Sequence, residues 1–249
     1  MTIPVPSLPI VAAMHGETYV LSNSIGVSMA SGAAIDLQAN YITIDLNGHH
    51  IYNTAGTGNE ARGIDGHNRY RCRIVNGWID GFRYGIELTD DSLATGRHVL
   101  EDLHISAWDR GIRAYGTSNV FRRVRMEDIG GTTASGTLRP FGFDLSGPCP
   151  LIEDCSVTQL RGNLEAVAFS FSESCHGGVA RRITAADAVM ATNSFGFWVG
   201  YSNDVVIEDY VAIRMWEALN GVTNSSGAIR SSHAEGCNSQ WVVNGNWST

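Results

Sequence analysis

A degenerate repeat constrains this chain more than any single motif. Its units are anchored on Asn47, Asn76, Asp102, Arg123, Asp154, Arg182, Asp209 and Ser232, which follow one another at intervals of 21 to 31 residues. Each anchor sits between short apolar-alternating stretches, as in Leu46-Asn47-Gly48-His49-His50-Ile51 and Ile152-Glu153-Asp154-Cys155-Ser156-Val157. A period in that range points to a stack of like units before any residue is given a role.

A second element recurs between the anchors: a small residue, an apolar one, an outward one and a second apolar or small one. Copies include Ala34-Ile-Asp-Leu37, Gly63-Ile-Asp-Gly66, Gly85-Ile-Glu-Leu88, Gly111-Ile-Arg-Ala114, Gly142-Phe-Asp-Leu145, Ala168-Phe-Ser-Phe171, Gly196-Phe-Trp-Val199 and Gly221-Val-Thr-Asn224. Alternation over three to five residues is the period of a strand. No stretch of ten or more residues carries a helical apolar stripe. Short strands cannot bury a face alone, whereas coils stacked strand on strand bury one continuous interior. The expected fold is therefore all-β, a single-stranded parallel β-helix of about eight coils. Residues 32–249 are expected to form that domain. Residues 1–31, with Pro4, Pro6 and Pro9, are expected to form an N-terminal lead-in that covers its open end.

This pattern resembles the pectate-lyase-like superfamily of right-handed parallel β-helices over nearly the whole chain. The resemblance implies that Gly-Ile-x-Leu is the first strand of each coil, that the residues before the anchor form the second, and that the anchor is a tight turn leading to the third. It also implies that a substrate groove, where one exists, lies on the first-strand face. The family within the superfamily is not visible. Polygalacturonase-type members carry Asn-Thr-Asp, Asp-Asp, Gly-His-Gly and Arg-Ile-Lys. Here only Asp90-Asp91 and Cys175-His176-Gly177 approach those motifs.

Charge and cysteine content narrow the chemistry. There is no lysine, so all 17 basic residues are arginine, and 25 acids give a net charge of -8. That balance excludes a catalytic lysine and argues against a nucleic-acid partner. No segment has the length and apolarity of a membrane span. Residues 1–31 lack the charged and apolar regions of a signal peptide, and an extracellular or particle-associated location is expected if the chain acts on polysaccharide. The five cysteines include no C-x-x-C, which argues against structural zinc. Cys149 and Cys175 follow Asp144 and Ser170 at the same offset, so a disulfide between adjacent coils is one reading and two stacked thiols the other.

Any chemistry must come from outward columns. On the first strand these read Asp36, Asp65, Glu87, Arg113, Asp144, Ser170, Trp198 and Thr223. Two positions on they read Gln38, His67, Thr89, Tyr115, Ser146, Ser172, Gly200 and Ser225. Three functions compete for this face. As a lyase of uronate polysaccharide, it would neutralise the substrate carboxylate with Arg113 or with a calcium ion held by Asp65, Glu87 and Asp144. His67 and Tyr115 would then move the protons, and Asp65, Ser170 and Trp198 would bind sugar. As a glycoside hydrolase it would use paired carboxylates, with Glu87 and Asp144 near the separation suited to inversion. As a non-catalytic shaft or adhesin of the phage-tailspike type, a homotrimer in the proteins it resembles, the charges would only keep the face soluble. Insertions at Asn53–Ala61, Glu127–Pro140 and Thr158–Glu165 are expected to wall the cleft, with Gly130, Gly131 and Gly136 suiting a flap.

The remaining candidates have plainer readings. Arg122, Arg123, Arg125, Arg181 and Arg182 are expected to pair with Glu101, Glu153 and Asp154. His49 and His50 face opposite ways, which excludes shared metal ligation. Cys175 beside His176 is a weak sign of a thiol nucleophile.

Overall fold

The computed structural model describes residues 1–91, 93, 95–130, 139–162, 165–188 and 193–248, with the side chains of 222–224 and 240–246 outside that description. It is an all-β solenoid of about eight coils whose strands pair in parallel. Residues 1–31 contribute strands to the same stack: Thr2–Val5 pairs with Thr18–Leu21, and Ile10–Ala12 with Ser31–Leu37.

The anchors are the residues that turn the chain. Asn47, Asn76, Asp102, Arg123, Asp154, Arg182 and Asp209 all have left-handed φ, between 49° and 61°. This single αL residue lets the second strand bend into the third without a loop. In the last repeat the turn falls on Ser231, one residue before the expected Ser232.

The interior is a ladder of like side chains. Ile35, Ile64, Ile86, Ile112, Phe143, Phe169, Phe197 and Leu219 occupy one inward column of the first-strand sheet, and all are fully buried. Phe143 stacks on Phe169 at 5.2 Å between ring centroids, and Phe169 on Phe197 at 5.9 Å.

The small-residue column has a steric cause. A Cβ on Gly85 would lie 2.7 Å from the Gly111 carbonyl oxygen, and one on Gly111 2.9 Å from that of Gly142. The pairing skips this position in every coil, matching Arg62 with Tyr84 and Ile64 with Ile86. The inserted residue acts as a stacked bulge, so alternation breaks there and positions 62 and 65 both face outward.

Candidate functional site

The bulge fixes two outward columns side by side. One runs Arg62, Tyr84, Arg110, Phe141 and the other Asp36, Asp65, Glu87, Arg113, Asp144, Ser170, Trp198. The second column is the expected one as far as Trp198, whose partner is Asn220 rather than Thr223. Thr223 itself lies outside the described side chains. The frame Ala218-Leu-Asn-Gly221 competes with Gly221-Val-Thr-Asn224 for the same strand, and Ala218 takes the small-residue place beside Gly196.

A cleft of about 600 Å³ opens over Asp65, Glu87 and Arg113, the second to fourth members of the second column, and is lined by Arg62, Asp65, His67, Glu87, Arg113 and Tyr115 together with Asp91 and Glu173. Five of these eight were legible in the sequence. Arg62, Asp91 and Glu173 were not expected on this face. Arg62 sits before the bulge, where strict alternation assigns it to the interior. Among the described residues the wall comes from Asp90, Asp91, Leu93 and Glu173, which follow the first strand of their coils rather than precede it. Gly131 and Gly136 of the expected flap lie outside the described residues.

Glu87 is the electrostatic centre. It is buried and accepts hydrogen bonds from Arg62 Nε and, at 3.0 Å, from Arg113 Nη1. Arg113 continues the chain of charge: Nε donates to the Tyr115 hydroxyl at 3.1 Å and lies 3.7 Å from Asp144 Oδ2. Asp144 in turn accepts from Arg110 Nε at 2.9 Å. Burial works against the charge on Arg113, but its bond to Tyr115 and the Asp144 and Glu87 carboxylates outweigh that and raise its pKa. Burial and then Asp144 raise the Tyr115 pKa, only partly offset by Arg113. Tyr115 therefore keeps its proton at neutral pH. Burial also raises the Asp65 pKa against the pull of Arg62.

His67 stands on the opposite side of the cleft. Its Nδ1 is 3.0 Å from Thr89 Oγ1 and its Nε2 3.4 Å from Asp91 Oδ2. Because Thr89 occupies the strand between them, His67 and Tyr115 are about 10 Å apart at the backbone, room for one sugar ring.

Several expected roles do not fit this geometry. Asp65, Glu87 and Asp144, the expected calcium ligands, are each engaged by arginine. Glu87 and Asp144 are already neutralised by arginines, and no group of three or more His, Cys, Asp or Glu side chains converges among the described residues. Asp144 is 6% exposed and lies beneath the cleft, so it positions Arg110 and Arg113 rather than touching a ligand. Ser170 is 0% exposed, its hydroxyl without a hydrogen-bond partner among the described residues, and it does not reach the surface of the cleft. Trp198 lies three strands from Arg113, about 14 Å along the stack, with its indole folded over Gly200, where a Cβ would meet the ring at 2.4 Å. It is outside the cleft.

The thiols are also settled. Cys149 and Cys175 are both free. Cys149 is an exposed αL residue in register with His176, to whose carbonyl its N–H donates at 2.9 Å, while Cys175 points inward and donates Sγ–H to Leu145 O. Burial raises the Cys175 pKa, which removes it as a nucleophile. Four of the five arginines of the basic patch pair with carboxylates: Arg122 with Glu101 and Glu153, Arg123 with Asp102, Arg181 with Glu153, and Arg182 with Glu153 and Asp154; Arg125, also expected to pair, has no ion-pair partner among the described residues.

Comparison with solved structures sets the fold. An alginate lyase from Paenibacillus sp. str. FPU-7 superposes with a TM-score of 0.53 at 13% identity, covering 100% of this chain and 98% of the lyase. The fold is a right-handed parallel β-helix. A second β-helix of this kind, the surface adhesin PfbA of Streptococcus pneumoniae, matches with a TM-score of 0.56 at 9% identity, over 92% of this chain and 63% of the adhesin. No family model and no curated protein matches the chain. Identities this low tie the chain to the fold and to no activity.

Proposed function

We propose that this β-helix degrades polysaccharide, cleaving an acidic, uronate-containing chain by β-elimination. The observation that carries the reading is the cleft's asymmetry: a protonated tyrosine held on a half-buried arginine faces a histidine across the width of one sugar. Arg113 and Arg62 receive the uronate carboxylate through guanidinium nitrogens that Glu87 and Tyr115 leave open, which stabilises charge developing on that group. His67 takes the proton from the carbon beside the carboxylate. The electron pair forms a double bond to the neighbouring carbon as its bond to the glycosidic oxygen breaks, and Tyr115 gives its proton to that oxygen. One proton is taken and one given, so no water is consumed.

The hydrolase alternative has less support. Arg113 sits between Glu87 and Asp144 and both carboxylates are buried, which leaves no place between them for an attacking water. The test is a panel of polyuronates and neutral glycans followed by ultraviolet absorbance and by reducing ends. Absorbance rising with reducing ends supports the lyase; reducing ends alone overturn it in favour of hydrolysis. Silence on both from folded protein moves the assignment to a non-catalytic shaft or adhesin.

A further inference from the structure

The third-strand sheet carries a second groove that shares no lining residue with the first. It has a volume of about 550 Å³ and follows an outward column in which His50, Trp78, His104, Arg125 and Ser156 occupy successive coils. Five coils span about 19 Å, the scale of a short oligosaccharide rather than of one small molecule.

Trp78 dominates the groove. It is 45% exposed, and its indole stacks on the His104 imidazole at 5.3 Å with 27° between the planes. Burial, and then the neighbouring Arg125 charge, lower the His104 pKa, so at neutral pH the stack is uncharged. A rigid aromatic surface held open to solvent matches the C–H face of a pyranose ring.

The polar groups around it are placed for hydroxyls. Asp80 accepts from Ser106 Oγ at 2.8 Å and Glu127 from Gln159 Nε2 at 3.0 Å, each through one oxygen. The second carboxylate oxygen of each has no partner among the described residues and can accept from a sugar hydroxyl. Arg125, alone among the arginines of its patch, has no ion-pair partner among the described residues, and supplies donors. Asp80, Glu127 and Asp128 outnumber Arg125 and Arg161, and Arg161 is spent on Asp128 at 2.8 Å. The surplus of carboxylate repels a polyuronate and accepts a neutral, hydroxyl-rich chain.

We infer that the third-strand groove is a non-catalytic saccharide-binding face for a neutral pyranose polymer, with Trp78 as its platform and Asp80, Glu127 and Arg125 as its hydrogen-bonding groups. It is separate from the cleavage cleft and does not depend on the reaction assigned there. A chain built this way grips a neutral glycan on the third-strand sheet while the first-strand sheet faces a different substrate.

Affinity electrophoresis of the full chain through gels containing xylan, mixed-linkage β-glucan, galactomannan, dextran, alginate or pectate tests this directly. At least one neutral polysaccharide is expected to retard the protein. Trp78→Ala and the milder Glu127→Gln should each weaken retardation about tenfold or more, with unchanged melting and unchanged cleavage of any soluble oligouronate. No retardation by any neutral polymer overturns the inference. So does retardation that survives Trp78→Ala, or binding through Trp78 that alginate or pectate supports and the neutral chains do not.

Discussion

Lowering the pH from 7 to 5 is expected to weaken the fold through one buried imidazole. His98 is 1% exposed, and its Nδ1 accepts a hydrogen bond from the Cys72 backbone N–H at 3.2 Å. Burial pushes its pKa from 6.5 down to about 4, with backbone hydrogen bonds and Asp90 only partly opposing. Once unfolded, the same imidazole titrates near 6.5. Between those values the unfolded chain takes up a proton that the folded one refuses, so stability present above pH 6.5 is lost as the pH falls towards 4. The whole gap is worth on the order of 3 kcal/mol, of which about 2 kcal/mol falls between pH 7 and pH 5. The depressed carboxylates Asp102, Glu153 and Asp154 weaken the fold only at lower pH, near their unfolded values. Denaturant titrations of wild type and His98→Asn at both pH values isolate the effect, because an asparagine oxygen accepts from Cys72 without titrating. Wild type should lose about 2 kcal/mol more than the variant over this interval. Equal losses would refute the reasoning, since the imidazole would then not be buried unprotonated.

Other perturbations separate core, surface and site. Phe169→Ala removes the middle ring of the Phe143–Phe169–Phe197 stack and should cost about 3–5 kcal/mol in denaturant unfolding. Glu153→Gln leaves Arg122, Arg181 and Arg182 facing one another without their shared carboxylate and should cost about 1–3 kcal/mol, the loss shrinking in high salt. Tyr115→Phe keeps the ring and removes the proton donor, so turnover on a polyuronate should fall by about 10²–10⁴-fold with little change in KM. Arg113→Ala should lower kcat/KM at least as far while the melting temperature stays within a few degrees. Full activity in both variants would place the reaction elsewhere.

Much of the fold could be read from sequence because a parallel β-helix writes its register in each coil. Seven anchors from Asn47 to Asp209 mark the αL turn, and the alternation beside them sorted the face from Asp36 to Trp198. The end of the chain was misread where Ala218 and Gly221 offer two small-residue frames that alternation cannot distinguish. The site was only half legible, for three physical reasons. A stacked bulge at Gly63, Gly85 and Gly111 turns Arg62 outward against the period. Walls are built by turn residues such as Asp90, Asp91 and Leu93, whose direction no strand pattern encodes. Lastly, an outward position is not an accessible one: Ser170 and Asp144 have the right parity and are buried. The same blind spot hid the partnering of Asp65, Glu87 and Asp144 with arginines, which ties the three expected calcium ligands into a guanidinium network.

Cleavage in heavy-oxygen water tests the central claim most directly. Elimination breaks the glycosidic bond without adding water, so the products of a susceptible polyuronate should carry an unsaturated terminal ring, weigh one water less than hydrolysis products, and contain no heavy oxygen incorporated at the cleaved bond. Saturated products carrying the label would contradict elimination and assign the cleft to hydrolysis.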